Sequence, residues 1–254
     1  MDYVSLKVEN CMGMITINKP PVNSYNLQVY KELRDTILSI NKMDDVWVVI
    51  LRAEGRHFSV GNDVADFTNF TTAERLIEYA AAASDCVRSL YECRVPFIGA
   101  VHGMIVGVAF ALVSCCDIIV ASENSKFSLP EIKVGIVGAA CFLSRVLPQQ
   151  LHRYLAYSGD VITAEQMKHF GAALKVVPEN QLLESAIDTA KRITANTPLG
   201  IRELKAAMNR NENAQLMEKY ALEIRYGSRL MITEDYKEAV DAFLNKRKPI
   251  YNGK

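Results

Sequence analysis

Residues 95–117 limit what this chain can fold into more than any other stretch. From Val95 to Cys116 there is no Lys, Arg, Asp or Glu. Phe97 to Val101 reads as a short apolar strand. The chain turns at His102-Gly103 and reaches Gly107, and Val108 to Val113 then suits a buried helix. A second apolar strand, Ile118 to Ala121, follows directly. The first N–H groups of a helix have no intrahelical partner, and the helix dipole adds positive potential there. A turn of this kind can hold an anion, or an oxygen that becomes one during a reaction. The run falls short of a membrane span, because His102, Ser114 and three glycines interrupt it.

The rest of the chain surrounds that run with α/β patterning. Tyr3 to Val8 and Met12 to Ile17 alternate like strands, with turn chemistry at Asn10 to Gly13, so a hairpin is expected. Leu27, Tyr30, Leu33, Ile37 and Ile40 recur at helical spacing. Val46 to Leu51 is continuously apolar, as a parallel strand covered on both faces should be. Arg52 to Asp66 reads as a loop. Thr71-Thr72-Ala73-Glu74 reads as a capping box opening a helix to about Glu92, and Thr163-Ala164-Glu165-Gln166 as a second one. Helices are expected over about 139–146 and 149–157, and a short strand over 174–177. Beyond 177 the pattern is helical only. The division expected is an α/β core over residues 1–195 and a helical region over 196–254.

Lys plus Arg equals Asp plus Glu, 29 each. That balance gives no electrostatic case for nucleic acid or an anionic membrane as partner. Six cysteines show no CxxC pair and no metal-ligand spacing, which favours buried reduced thiols. The N-terminus lacks a basic segment followed by an apolar core, so a cytoplasmic location is expected.

Two separated segments resemble one family. Arg56-His57-Phe58-Ser59-Val60-Gly61-Asn62-Asp63 is similar to the first oxyanion-hole loop of the crotonase (enoyl-CoA hydratase/isomerase) superfamily. Pro96 to Asp117, with Pro130-Glu131 and Gly135, is similar to its second loop and catalytic segment. Thr163 to Gly171 and Phe243 to Lys248 also look like family sequence. The resemblance implies an α/β fold, a crotonase-like spiral of ββα units with an all-helical C-terminal region, assembled as a homotrimer or a hexamer. It implies an acyl-CoA thioester as substrate, with coenzyme A part of that substrate and no separate cofactor. The backbone N–H groups of Val60 and Val108 would hold the thioester oxygen, and Glu131 would move protons. Arg56, His57, Phe58, Gly61, Asp63 and Gly107 fall in the substrate-binding segments. Lys246 falls where the family reaches the 3′-phosphate of CoA.

The sequence departs from the pattern at three places. Gly107 is followed by Val108-Ala109 where consecutive glycines are common. Ala111 stands where hydratases carry a second glutamate. Residues 135–142 make a bulkier pocket wall than usual. Water addition uses two carboxylates, so a lone Glu131 points toward isomerase-type proton transfer. A hydratase, a decarboxylase or a catalytically impaired CoA-binding protein on the same scaffold are the alternatives. His102 is expected to be a hydrogen-bonded turn residue, and Asp63 and Asp117 to bond to backbone N–H groups. Tyr79 and Tyr91 are expected to pack or to line the acyl pocket.

Overall fold

The computed structural model describes residues 2–63, 73–212 and 215–253. It opens with an antiparallel hairpin, β1 (Val4–Glu9) and β2 (Met12–Ile17), in register from Val4↔Ile17 to Glu9↔Met12. Asn10 and Cys11 turn it with φ of 51° and 62°, the left-handed pair that a two-residue hairpin turn requires. Asn26 caps α1 (Leu27–Ile40) by accepting the Val29 N–H, and the helix buries Val29, Tyr30, Leu33, Ile37 and Ile40. Strand β3 (Val48–Ala53) runs parallel to β2, α2 (Ala73–Tyr91) crosses back, and β4 (Phe97–Val101) runs parallel to β3.

Next come β5 (Met104–Val106), α3 (Val108–Cys115), β6 (Ile118–Ser122) and β7 (Lys126–Ser128). A 3₁₀ turn at Pro130–Val134 leads to α4 (Ala140–Leu143), α5 (Gln149–Ser158), β8 (Val161–Thr163), α6 (Ala164–His169) and β9 (Lys175–Val177). The chain finishes with α7 (Leu182–Thr194), α8 (Pro198–Glu212), α9 (Leu216–Leu230) and α10 (Glu234–Leu244). Among the described residues no strand follows Val177, as the patterning implied.

Six strands form one sheet in the order β1-β2-β3-β4-β6-β9. Helix α7 covers one face, where Leu182, Ala186 and Ala190 pack on Val48, Ile50, Ile98, Ala100 and Val120. The other face meets α1, α2 and α3 in the larger core. Burial on both faces explains why β3 and β4 read as unbroken apolar runs. A second sheet, β5-β7-β8, stands apart from the first.

Some boundaries differ from the sequence reading. The third strand is Val48–Ala53 and not Val46 to Leu51, because its register follows β2. The helix expected over 139–146 shrinks to the single turn of α4, with Ala139 left-handed at its start. Strands β5 and β8 were not expected. The Thr163–Gln166 capping box is formed, whereas Thr71 and Thr72 of the other lie outside the described residues. Asp117 does accept a backbone N–H, that of Phe97 at 2.7 Å. It also pairs at 2.8 Å with Lys205 of α8, whose ammonium donates to the Val95 carbonyl at 2.9 Å. That lysine is only 5% exposed and fastens the helical tail to the central sheet. Lys205→Met is expected to lower unfolding free energy by about 2 kcal/mol, the scale for charged hydrogen bonds, measured by urea denaturation.

Candidate active site

The site is built where the two turns on either side of β5 meet. Phe58 N–H donates to the His102 carbonyl at 2.9 Å, Ser59 N–H to Met104 at 3.1 Å, and Val106 N–H to Ser59 at 3.0 Å. These bonds zip the first loop along β5. Gly61, at φ 87°, lies so close that a Cβ there would sit 2.8 Å from the Val106 carbonyl oxygen. Only glycine permits that approach at that φ. The segment carrying Val60 is thereby held beside the turn carrying Gly107 and Val108.

The parallel pairing of β5 with β7 sets the second contact. Val106 pairs with Ser128, and Gly107 N–H donates to the Ser128 carbonyl at 2.9 Å. Both strands end at the same level, so Pro130-Glu131 begins beside Gly107. A Cβ on Gly107 would lie 2.5 Å from Glu131 Oε1. Helix α3 begins at Val108, so the Glu131 carboxyl sits at that helix N-terminus, whose first N–H groups lack intrahelical acceptors.

The other Glu131 oxygen, Oε2, is buried with no hydrogen-bond partner. Among the described residues no cation pairs with Glu131. Burial pushes its pKa up from 4.5 to about 7, opposed by a bond from its own backbone N–H. A carboxyl so placed exchanges its proton near neutral pH, as a general base or acid requires.

The cleft in front of Glu131 is mostly apolar. Tyr79, Ala83, Val108, Val137, Tyr220 and Ile224 supply much of its wall. Tyr79 thus both lines the cleft and packs, and its hydroxyl donates to the Tyr25 carbonyl at 2.7 Å. Asn62 and Tyr30 line the cleft too; Tyr30 donates its hydroxyl to the Asn62 side-chain oxygen. Helix α9 closes the cleft from the tail.

The remaining expected residues are distributed as follows. Val60 N–H lies 3.3 Å from the Val22 carbonyl, a contact at the long end of hydrogen bonding. Phe58 is fully buried, which corrects its expected place against substrate: its ring anchors the loop from below. The Asp63 carboxylate takes Lys19 at 2.8 Å and the Ser24 hydroxyl at 3.0 Å. Arg56 is exposed. His57 is half-buried, accepts the Met104 N–H at 3.3 Å, and is held below the usual imidazole pKa by burial and then by Arg56. His102 is buried, with Nε2 2.8 Å from the Gly55 carbonyl, a turn residue as expected. Tyr91 packs beneath Arg145 at 4.9 Å and donates to the Asn209 carbonyl. Lys246 is exposed just after α10 and is not part of the cleft wall.

This geometry has relatives. A family model described as enoyl-CoA hydratase/isomerase matches residues 7–254. The chain belongs to that family of acyl-CoA-processing enzymes, the crotonase superfamily. A Rhodococcus jostii protein named "(7aS)-7a-methyl-1,5-dioxo-2,3,5,6,7,7a-hexahydro-1H-indene-carboxyl-CoA hydrolase" is 36% identical over 92% of this chain and 91% of its own. A short-chain-enoyl-CoA hydratase of Clostridium acetobutylicum is 30% identical over 98% of this chain and 97% of its own. The crystal structure of an enoyl-CoA hydratase/isomerase from Mycobacterium paratuberculosis superposes with a TM-score of 0.88 at 22% identity, covering 95% of this chain and 98% of that one. The architecture is therefore the crotonase fold.

Sequence reasoning missed Tyr30, Asn62 and the α9 wall as cleft residues. Asn62 lies inside the first-loop motif and was readable there. Tyr220 and Ile224 carry no motif; their signal is only a helical stripe.

The raised carboxyl pKa links to stability with a definite sign. Between pH 4.5 and about 7 the unfolded chain loses this proton while the folded chain keeps it, so stability falls with rising pH across that window. Glu131→Gln is expected to be more stable than wild type by roughly 3 kcal/mol above pH 7. The gain should vanish near pH 4, as read from urea unfolding at both pH values.

Proposed function

We propose that this enzyme transforms an acyl-CoA thioester through its enolate, with Glu131 moving the α-proton. The observation that carries this reading is the cation-free Glu131 carboxyl held against Gly107 at the start of α3. The thioester oxygen is placed at the N-terminus of α3 with Val108 N–H as donor; the Val60 N–H expected beside it is engaged by the Val22 carbonyl. Enolate formation places charge on that oxygen that the ground-state carbonyl lacks, so donors fixed there favour the transition state selectively.

With Ala111 in place of a carboxylate, proton transfer within the substrate is the simplest use of the site. Glu131 takes a proton from C2 of a 3-enoyl thioester, the electron pair becomes the dienolate, and the same proton returns at C4. The product is the 2-enoyl isomer. Coenzyme A is part of the substrate, and the assembly is a homotrimer or a pair of trimers. A second reading is a hydrolase acting on an alicyclic keto-acyl-CoA. It is favoured by the Rhodococcus jostii relative.

A panel of 3-enoyl-, 2-enoyl- and alicyclic keto-acyl-CoA thioesters, followed by mass spectrometry, separates these readings. Glu131→Gln is expected to lower kcat/KM at least ~100-fold on the true substrate, the lower end of general acid–base contributions. Turnover unchanged by that substitution would remove the base assignment. In the wild type kcat/KM should rise with pH and level off above about 7, because the base form of Glu131 is the active one.

A further inference from the structure

Three phenols line the main cleft: Tyr30, Tyr79 and Tyr220. Two of them spend their protons on the protein. Tyr30 donates to the Asn62 side-chain oxygen, and Tyr79 donates to the Tyr25 carbonyl at 2.7 Å. The hydroxyl of Tyr220, on α9, has no hydrogen-bond partner among the described residues. Its residue is 7% exposed. The Tyr25 hydroxyl is also unpaired, but it is sealed in the core; the Tyr220 hydroxyl belongs to a side chain that faces the cleft.

Tyr220 is firmly held. Its ring meets that of Phe142 on α4 with centroids 4.7 Å apart and planes at 60°. Ile224 and Gly227, four and seven residues on, share its helix face and line the same cleft. Gly227 permits the close approach: a Cβ there would lie 2.5 Å from the Val137 carbonyl oxygen. Helix α9 therefore cannot swing the hydroxyl into bulk water without giving up both contacts. Burial first, then Cys141, Glu223 and Glu131, keep the phenol pKa above its ordinary value. At neutral pH the group is a neutral O–H, with one proton to donate. Cys141 and Glu223 line a separate cavity together with His152, and Ile136, Val137 and Gly138 are the wall it shares with the cleft. Ala83, Val108, Ile136, Val137 and Ile224 give the cleft itself an apolar lining. A pure hydrocarbon acyl group bound there would take water from the Tyr220 hydroxyl and return no hydrogen bond. An acyl group bearing an acceptor oxygen would restore it. A keto oxygen only accepts, and so matches a group whose proton is the unspent part.

We propose that the acyl group this enzyme takes carries a keto oxygen on the part that faces α9, and that Tyr220 selects for it by donating its phenolic proton. The inference rests on the reading of this cleft as the acyl-CoA site with Glu131 as base. It adds a recognition element that neither the α-carbon chemistry nor the thioester oxygen requires.

The test uses heptanoyl-CoA and its 4-oxo, 5-oxo and 6-oxo derivatives, one chain length with the oxygen in three places. Equilibrium dialysis gives Kd for each. Proton exchange at C2 in D₂O, read by NMR, gives kcat/KM. Wild type is expected to favour one oxo derivative over heptanoyl-CoA by at least ~10-fold in both measures, because a site built around a polar partner rejects the analogue that lacks it. Tyr220→Phe keeps the ring against Phe142 and should bring that ratio to within about twofold of one. A wild type with no preference for any of the three would overturn the proposal, as would a preference that survives in Tyr220→Phe. An equal loss on all four thioesters with a shifted pH midpoint of exchange would also overturn it, since the hydroxyl would then be serving Glu131. A Kd preference that disappears in Tyr220→Phe, with no C2 exchange by wild type, would uphold the selection by Tyr220 and overturn the Glu131 reading instead.

Discussion

A carboxyl group buried without a cation is costly, and the Glu131 site is arranged around one. Taking an ionised carboxylate out of water disfavours the charged form, which is why this group titrates near neutrality. The cost has a mechanistic use. In the proposed reaction Glu131 becomes neutral when it takes the α-proton, and the negative charge passes to the thioester oxygen at the start of α3. One negative charge is present in the cleft before and after the step. It moves from a poorly solvated carboxylate to an oxygen facing helix N-terminal N–H groups. Environment and acceptor therefore both push the proton transfer in the productive direction.

That relationship depends on backbone geometry more than on side chains. Gly107 has φ 61°, and any side chain there would collide with the Glu131 carboxyl. The short sheet β5-β7-β8 holds this contact in register: β5 delivers Gly107 and β7 delivers Pro130-Glu131 from paired ends. The first loop joins β5 through the Ser59↔Ile105 bridge. Three segments distant in sequence are thus referenced to one three-residue strand. A strand of that length has little stability alone; it persists because α3 and Phe127 pack beneath it in the core.

This explains what the sequence could and could not disclose. The central sheet was legible because β3 and β4 are long, apolar and buried on both faces. Helix α1 was legible from its 3.6-residue stripe. Strand β5 was not, since Met104-Ile105-Val106 is embedded in an apolar run whose turns mask its ends. Glu131 was readable from the order of motifs flanking it. Lys205 and Glu223 were invisible, because a charged residue on a surface-type helix looks solvated until packing shows what it faces. Lys205 finds Asp117 from 88 residues away, and Glu223 finds the far side of a cavity formed by the segment after Glu131. Neither pairing leaves a local periodic trace.

The helical tail consequently does more than cover the core. The Gly107-Val108 turn and Glu131 belong to the α/β body, where the two short strands and their glycines leave little room for variation. The opposing wall belongs to α9, which touches the body through Gly227 against Val137 and through Tyr220 against Phe142, with ring centroids 4.7 Å apart. A change on that helix face alters what stands opposite the reacting carbons without disturbing the β5–β7 register. The segment from Ile136 to Ala139, bulkier than a glycine-rich wall, forms the seam between the body and α9. Ile136, Val137 and Gly138 of this segment line the main cleft on one side and the cavity beside Cys141 and His152 on the other.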